Sequence, residues 1–303
     1  EIMPSLVGSE MCIRDRFDAP GPRIGDFDAW KTDGARRSWR TPEVDGNNRH
    51  REPMAHSLAV DHTARHEIDP GLFDTPEVRQ ACIDLAACFR MAARLGMEEG
   101  ICNHFSAVVP GFDHCFIVNP FGLAFDEIRA SDLIICDFDG RVLKGDRPPE
   151  ITAYFIHARV HRSLPRARVA FHTHMPYATS LALVEGRPLQ WAGQTALKFY
   201  GRTAVDDFNG LAFDAREGDR IAAAIGDADV VFMRNHGVMV VGATIAEAWN
   251  DLYYLERACE VQVLAESTGR KLSPVPPELA AATYAQMRSG GNESAVQHLS
   301  LIH

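Results

Sequence analysis

Apolar residues recur at helical spacing in several segments of the chain and predict amphipathic helices there. The first begins after Thr75, which can cap a helix, and has Pro76 at the first helical position, where the missing N–H costs nothing. Its apolar face continues until Gly96 ends the helix. The same pattern predicts helices over about residues 149–162, 176–184 and 214–225, and a long helix capped by Thr244.

Between these helices lie short runs of β-branched and aromatic residues that predict strands. Three of them, over residues 104–109, 115–119 and 133–138, are separated by turn residues and lie close together in the chain, which favours antiparallel pairing. Further strands are predicted over residues 168–174, 230–233 and 238–241. Because strands and helices alternate without any internal repeat, we expect one α/β domain from about residue 70 to 270.

The composition of the 303-residue chain is that of a globular protein, with 46% hydrophobic and 24% charged residues. Its formal net charge of −10 argues against a nucleic-acid partner, which would need a basic surface stripe. The sequence contains no apolar run of about 18 residues, so we expect no membrane span. Seven cysteines are dispersed without Cys-x-x-Cys spacing, which is typical of reduced thiols in a cytoplasmic protein.

The two ends of the chain do not read as parts of this domain. Residues 4–16 and 298–303 resemble translated sequencing-adapter read-through, and residues 17–53 are rich in Pro, Gly, Arg and Asp with little periodicity. We therefore predict a non-native or disordered leader over residues 1–53, with Met54 as a candidate start. The folded domain is then expected over residues 54–270, and a C-terminal helix with an artefactual tail over residues 271–303.

A histidine pair stands at the end of one predicted strand, at His172-Thr173-His174. Alternate side chains of a strand share a face and lie about 7 Å apart. This spacing suits two neutral imidazoles that bind one cation, because divalent metal–nitrogen bonds are about 2.0–2.1 Å long. His236 follows another buried strand and precedes Gly237, where the backbone can approach closely. It would complete a three-imidazole site with positions open for substrate, although a core histidine bonded to backbone is the alternative interpretation.

Four motifs occur in an order that resembles the class II aldolase/adducin family, and the resemblance covers roughly residues 75–265. They are Gly100-Ile101-Cys102-Asn103-His104-Phe105-Ser106, Asn119-Pro120-Phe121-Gly122, His172-Thr173-His174 and Asn235-His236-Gly237. The resemblance implies a three-layer α/β/α sandwich around a mostly antiparallel sheet, and a homo-oligomer such as a ring of four. It also implies a divalent metal, Zn²⁺ first and Mn²⁺, Co²⁺ or Fe²⁺ as alternatives, bound by His172, His174 and His236.

The chain departs from the sugar-phosphate aldolases of this family at the positions of their catalytic and phosphate contacts. Their base, a glutamate, falls on Ala153, and the two serines before it fall on Ile151 and Thr152. Their phosphate-contacting asparagine and threonine fall on His104 and Phe121. We therefore expect a member of the adducin-like or decarboxylase-like branch, with a non-phosphorylated substrate.

The missing glutamate bears on the chemistry, because an aldolase must remove a proton from carbon and needs a positioned base. A decarboxylase needs only a Lewis acid and a group that reprotonates carbon. Glu150, nearly one helical turn before Ala153, is a candidate replacement if the helix extends that far; otherwise it is an exposed first-turn residue. His104 and Tyr200 are candidate proton donors.

The remaining candidates are predicted to contact substrate. Asn119, Phe121 and Gly122 belong to the second motif, while Gln194 lies with Asn209 in a stretch that resembles pocket-facing loops of adducin-like enzymes. Phe121 and the lost phosphate contacts favour an apolar or aromatic substrate.

These residues together predict a divalent-metal-dependent carbon–carbon lyase, a decarboxylase or aldolase, that acts on a small hydroxy- or keto-carboxylate. Two alternatives stay open. One is a non-haem Fe(II) oxygenase with the same three histidines. The other is a non-catalytic adducin-like interaction module, against which the retention of all three histidines argues.

Overall fold

The computed structural model describes residues 69–303, which lie within one compact unit of the chain, Ser57–His303. The predicted leader over residues 1–53 and the candidate start Met54 lie outside the described residues. Within the described part, no helix is long and apolar enough to cross a membrane.

The centre of the domain is an eight-stranded sheet. Its strands are β1 (His104–Val108), β2 (Cys115–Val118), β3 (Ile134–Asp137), β4 (Val142–Lys144), β5 (Val169–Thr173), β6 (Thr203–Asp206), β7 (Val230–Met233) and β8 (Gly237–Gly242). They are ordered β4-β3-β2-β1-β5-β8-β7-β6. Every neighbouring pair is antiparallel except β6 and β7, which run parallel.

Helices cover both faces of this sheet. They are α1 (Pro76–Arg94), α2 (Ile151–Ser163), α3 (Pro176–Ala182), α4 (Gln194–Leu197), α5 (Ala215–Ile225), α6 (Ile245–Glu266), α7 (Pro277–Ser289) and α8 (Glu293–Ser300), with short 3₁₀ turns at Pro70–Phe73 and Ala130–Asp132. Helices α1, α3 and α6 share one core with Phe105 and Phe171. Helices α2 and α5 share another with Ala170 and Met239 on the opposite face. The predicted three-layer α/β/α sandwich around a mostly antiparallel sheet is confirmed.

The predicted helix starts follow from local capping. The Thr75 hydroxyl accepts a hydrogen bond from the backbone N–H of Val78 at 3.2 Å, and Thr244 does the same for Glu247 at 3.2 Å. Each side chain satisfies a backbone donor that the first turn of a helix leaves unpaired. These contacts act over three residues, which is why the sequence pattern locates them.

Three elements differ from the prediction. Strand β4 is only three half-buried residues long and shows no alternation, and α4 is a single turn, so neither has a periodic signal. Residues 271–303, predicted as one helix and a tail, form both α7 and α8. Ala295 and Leu299 of α8 are buried in the same core as α6. That the tail is artefactual in origin stays a prediction.

Candidate metal centre

Three imidazoles converge at one end of the sheet. One ring nitrogen from each of His172, His174 and His236 lies within 4.8 Å of the others. The Nε2 atoms of His172 and His174 are 3.2 Å apart. Metal–nitrogen bonds of about 2.0–2.1 Å at tetrahedral angles place two ligand nitrogens about 3.3–3.4 Å apart. The spacing of these two nitrogens therefore fits a shared divalent cation.

The ends of β5, β7 and β8 bring the three rings together. His172 is the fourth residue of β5 and His174 immediately follows the strand, while His236 lies in the turn between β7 and β8. Asn235 in this turn has φ of 55°, a left-handed conformation that asparagine tolerates better than most residues. A Cβ on Gly237 would lie 2.6 Å from the carbonyl oxygen of Thr173 and 2.7 Å from Cδ2 of His174. Only glycine allows this approach, as the sequence predicted.

Hydrogen bonds orient two of the rings for metal binding. His172 Nδ1 donates to the carbonyl oxygen of Val238 at 2.9 Å, and His174 Nδ1 donates to the carboxylate of Glu99. Because both acceptors lack a proton, each Nδ1 carries the hydrogen and each Nε2 keeps its lone pair. A carbonyl or carboxylate on the far nitrogen is the usual support of a metal-ligating histidine.

Two of the rings, those of His172 and His236, are also held neutral, as metal ligands must be. Burial lowers the pKa of His172 well below its ordinary value, with nearby positive charge on other histidines as a smaller cause. Burial, and then charge on His174, lowers the pKa of His236 to about 4. The three nitrogen donors, the tautomers of His172 and His174, and the neutral state of His172 and His236 fit a divalent cation.

Sequence reasoning missed two residues that support this cluster. Glu99 immediately precedes the first motif and contacts His174 across 75 residues of chain. Asn103 lies inside that motif, and its Oδ1 accepts hydrogen bonds from the backbone N–H groups of Glu99 at 2.7 Å and His174 at 3.3 Å. The motif indicated that Asn103 matters, but no local pattern assigns a partner to Glu99.

Two predicted site residues, His104 and Asn119, are buried close to the cluster. His104 pairs with His172 across β1 and β5, and their ring centroids are 4.8 Å apart. Asn119 donates from Nδ2 to the carbonyl oxygen of Asn103 at 3.3 Å. Asn119 Oδ1 and Asn103 Nδ2 are buried and have no partner among the described residues. A polar ligand would satisfy such atoms.

Glu150 differs from its prediction. Helix α2 begins at Ile151, so Glu150 is the residue that caps the helix rather than a member of its first turn. Its Oε2 accepts from the backbone N–H of Ala153 at 2.8 Å and from the hydroxyl of Thr152. The helix does not extend far enough to turn Glu150 onto the face of Ala153, and its carboxylate is engaged in the cap.

The structure does not join Tyr200, Gln194, Phe121 or Gly122 to the histidines through any described contact. Tyr200 packs its ring on Trp191 at 5.3 Å, and the exposed Gln194 begins α4, which packs on α6 and α7. Phe121 is 49% exposed and donates its backbone N–H to Pro148, and Gly122 has φ of 87° in the same turn. These residues were placed by resemblance rather than by a pattern that reports distance, and their roles stay predictions.

A small pocket adjoins His236 at the loop before α5. It is lined by Phe208, Asn209, Ala212, Met233 and Arg234, among others. Asn209, singled out from the sequence, donates from Nδ2 to Glu217 at 2.7 Å. The pocket offers apolar and charged surface beside the cluster.

Comparisons with known proteins agree with the fold. Residues 83–263 match the model of the family described as class II aldolase and adducin N-terminal domain. A putative aldolase class 2 protein of Caulobacter vibrioides is 37% identical over 204 residues, 66% of this chain and 78% of that protein. The decarboxylase NovR of Streptomyces niveus is 32% identical over 226 residues, 73% and 83% of the two chains. A crystal structure of an aldolase II superfamily protein from Pseudomonas syringae superposes with a TM-score of 0.71 at 32% identity, covering 75% of this chain and 92% of that one.

Proposed function

Because the chain belongs to the class II aldolase and adducin family, we propose that it is a divalent-metal-dependent carbon–carbon lyase. Its substrate is a small, non-phosphorylated hydroxy- or keto-carboxylate, and decarboxylation is preferred over aldol cleavage. The observation that carries this proposal is the convergence of His172, His174 and His236, with the Nε2 lone pairs of His172 and His174 free. Zn²⁺ is the preferred cation, since three imidazoles with open positions are typical of catalytic zinc sites.

A divalent cation held there supplies Lewis-acid stabilisation of the negative charge that develops on a substrate oxygen as the carbon–carbon bond breaks. The protein contributes the orientation. Val238 and Glu99 hold two of the rings, and Asn103 holds the backbone at His174. The unpartnered amide donor of Asn103 supports a role in binding a substrate oxygen.

The loss of the family's glutamate supports decarboxylation, since the carboxylate that the structure does place at the cluster, that of Glu99, is bonded to Nδ1 of His174. Ala153, at the position that resembles the family's glutamate, is fully buried in α2. The carboxylate of Glu150 is engaged in the helix cap. A decarboxylation leaves the electron pair on carbon when carbon dioxide departs, so it needs no base to generate the carbanion. The relative from Streptomyces niveus that is named a decarboxylase supports the same choice.

An apolar or aromatic substrate is part of the proposal and rests on Phe121 and the lost phosphate contacts. Phe208 is 51% exposed, and Leu211 and Phe213 in the same loop are 62% and 54% exposed. This apolar loop supports the predicted homo-oligomer, in which a neighbouring copy would cover it.

The test begins with metal analysis of the full chain beside a His172→Ala/His174→Ala variant. His114→Ala is the matched control, because His114 is an exposed histidine outside the cluster. We expect stoichiometric zinc, manganese or cobalt in the wild type and in the control, and its loss in the double variant. Purified enzyme should then release carbon dioxide from hydroxy- or keto-acids.

Other outcomes would favour the alternatives. Bound iron together with dioxygen-dependent turnover would identify the non-haem oxygenase. Absence of metal after reconstitution with each cation would refute both enzymes and leave the interaction module.

A further inference from the structure

A chain of hydrogen bonds runs away from the metal centre between β1 and α2. His104 Nδ1 lies 2.6 Å from His157 Nε2, and His157 Nδ1 contacts the hydroxyl of Ser106. The same hydroxyl lies 2.7 Å from His161 Nε2, and His161 Nδ1 lies 2.6 Å from the carbonyl oxygen of Ala167. Three imidazoles and one hydroxyl thus form a continuous path.

This path is built into the core. His104, Ser106, His157 and His161 are 1%, 0%, 0% and 4% exposed. His104 and Ser106 are alternate residues of β1 on the face that meets α2, and His157 and His161 are one helical turn apart on α2. Buried polar groups are costly unless every one of them is paired, so the pattern of donors and acceptors is strongly constrained.

The direction of the hydrogen bonds along this path is determined at its far end, at His161. The carbonyl oxygen of Ala167 can only accept, so His161 Nδ1 must carry a hydrogen. Burial, as the largest cause, lowers the pKa of His161 to about 4, and the ring is neutral near pH 7. A neutral imidazole carries one hydrogen, so His161 Nε2 is an acceptor. The Ser106 hydroxyl donates to this nitrogen at 2.7 Å rather than to the carbonyl oxygen of Ala170, which is 3.5 Å away.

The positions of the remaining hydrogens along the path follow in turn. Ser106 has a single hydroxyl hydrogen, so its oxygen accepts from His157 Nδ1. Burial also lowers the pKa of His157 well below its ordinary value, which leaves Nε2 of this neutral ring as an acceptor. His104 Nδ1 must then donate to it, and Nε2 of His104 has no partner among the described residues.

We propose that Ser106 and His161 are positioning residues that hold His104 in the tautomer protonated on Nδ1. Nε2 of His104 is then a hydrogen-bond acceptor beside the three-histidine cluster. This reverses the role expected from the sequence, because a neutral His104 in this tautomer has no proton to give from Nε2.

The tautomers are measured by long-range ¹H–¹⁵N correlation spectra of the full chain labelled with ¹⁵N-histidine, both metal-free and loaded with Zn²⁺. Single His→Gln variants assign the rings. We expect His104, His157 and His161 all to be protonated on Nδ1, which is the less populated tautomer of free histidine in water. A wild-type His104 protonated on Nε2 would overturn the proposal without need of any further variant.

Three variants then test the path of hydrogen bonds itself. Ser106→Ala removes the hydroxyl, so His157 loses the acceptor for its Nδ1 hydrogen, and His104 should shift toward the Nε2-protonated form. Ser106→Thr keeps the hydroxyl and should restore the wild-type spectrum. Thr179→Val is the matched control, because it removes a buried hydroxyl on α3 that has no partner within residues 69–303. An unchanged His104 tautomer in Ser106→Ala would refute the role of Ser106.

Discussion

Replacing Gly237 with alanine tests whether the close approach of β8 to β5 positions the metal ligands. The new Cβ would lie 2.6 Å from the carbonyl oxygen of Thr173, whereas ordinary contact begins at 3.4 Å. Backbone at Thr173 must therefore move by about 0.8 Å (3.4 − 2.6). Because Thr173 joins His172 to His174, this movement displaces both ligands.

Gly237→Ala is expected to lower both the stability of the protein and its affinity for Zn²⁺. Overpacking a buried position of this kind lowers the free energy of unfolding by about 1–3 kcal/mol. Displacing the ligands should lower Zn²⁺ affinity by about 10- to 100-fold, the usual size of effects on the residues that orient ligands. Urea denaturation of the metal-free protein measures the free energy of unfolding, and competition with a chromogenic chelator measures the Zn²⁺ affinity.

Gly242→Ala is the control at the far end of the same strand. Its Cβ would lie 3.0 Å from the backbone nitrogen of Ala248, a tight contact away from the histidines. We expect Gly242→Ala to lose stability but keep the zinc affinity of the wild type. If Gly237→Ala also kept that affinity, the contact between β8 and β5 would not set the ligand geometry, and the reasoning would be refuted.

Two further predictions concern the groups around the cluster. Glu99→Gln should lower Zn²⁺ affinity by about tenfold in the chelator assay, because the carboxylate orients His174; an unchanged affinity would show that the contact does not matter. His161→Gln should flatten the dependence of stability on pH. In the unfolded state His161 binds a proton as the pH falls below about 6.5, whereas in the folded state its pKa is about 4. Proton binding therefore favours the unfolded state, and this group lowers the wild-type free energy of unfolding by about 3 kcal/mol between pH 6.5 and 4. Urea denaturation of metal-free protein from pH 7 to 4.5 checks this, and an equal slope in both proteins would contradict the shift.

The helices and most strands were predictable because their causes act over a few residues. Thr75 and Thr244 cap helices three residues ahead, and most strands are short runs of β-branched and aromatic residues bounded by turn residues. Strand β4 and helix α4 are too short for either signal. The candidate roles of Tyr200 and Glu150 depended on distances that no local pattern reports. The structure packs Tyr200 on Trp191 and places Glu150 at the cap of α2.

The sequence by itself determined that His172 and His174 share a face of one strand and that His236 ends another. It also determined that Gly237 leaves room beside them. Only the tertiary structure decided that β5 lies between β1 and β8, which brings His104 beside His172 and the His236 turn beside His174. Only it decided the tautomers, because the position of a ring hydrogen depends on which acceptors lie within about 3 Å. Glu99 and Val238 lie 75 and 66 residues along the chain from the rings they accept from, while Ala167 lies six residues after His161 in the loop that follows α2. Periodicity along the chain carries no information about any of these contacts.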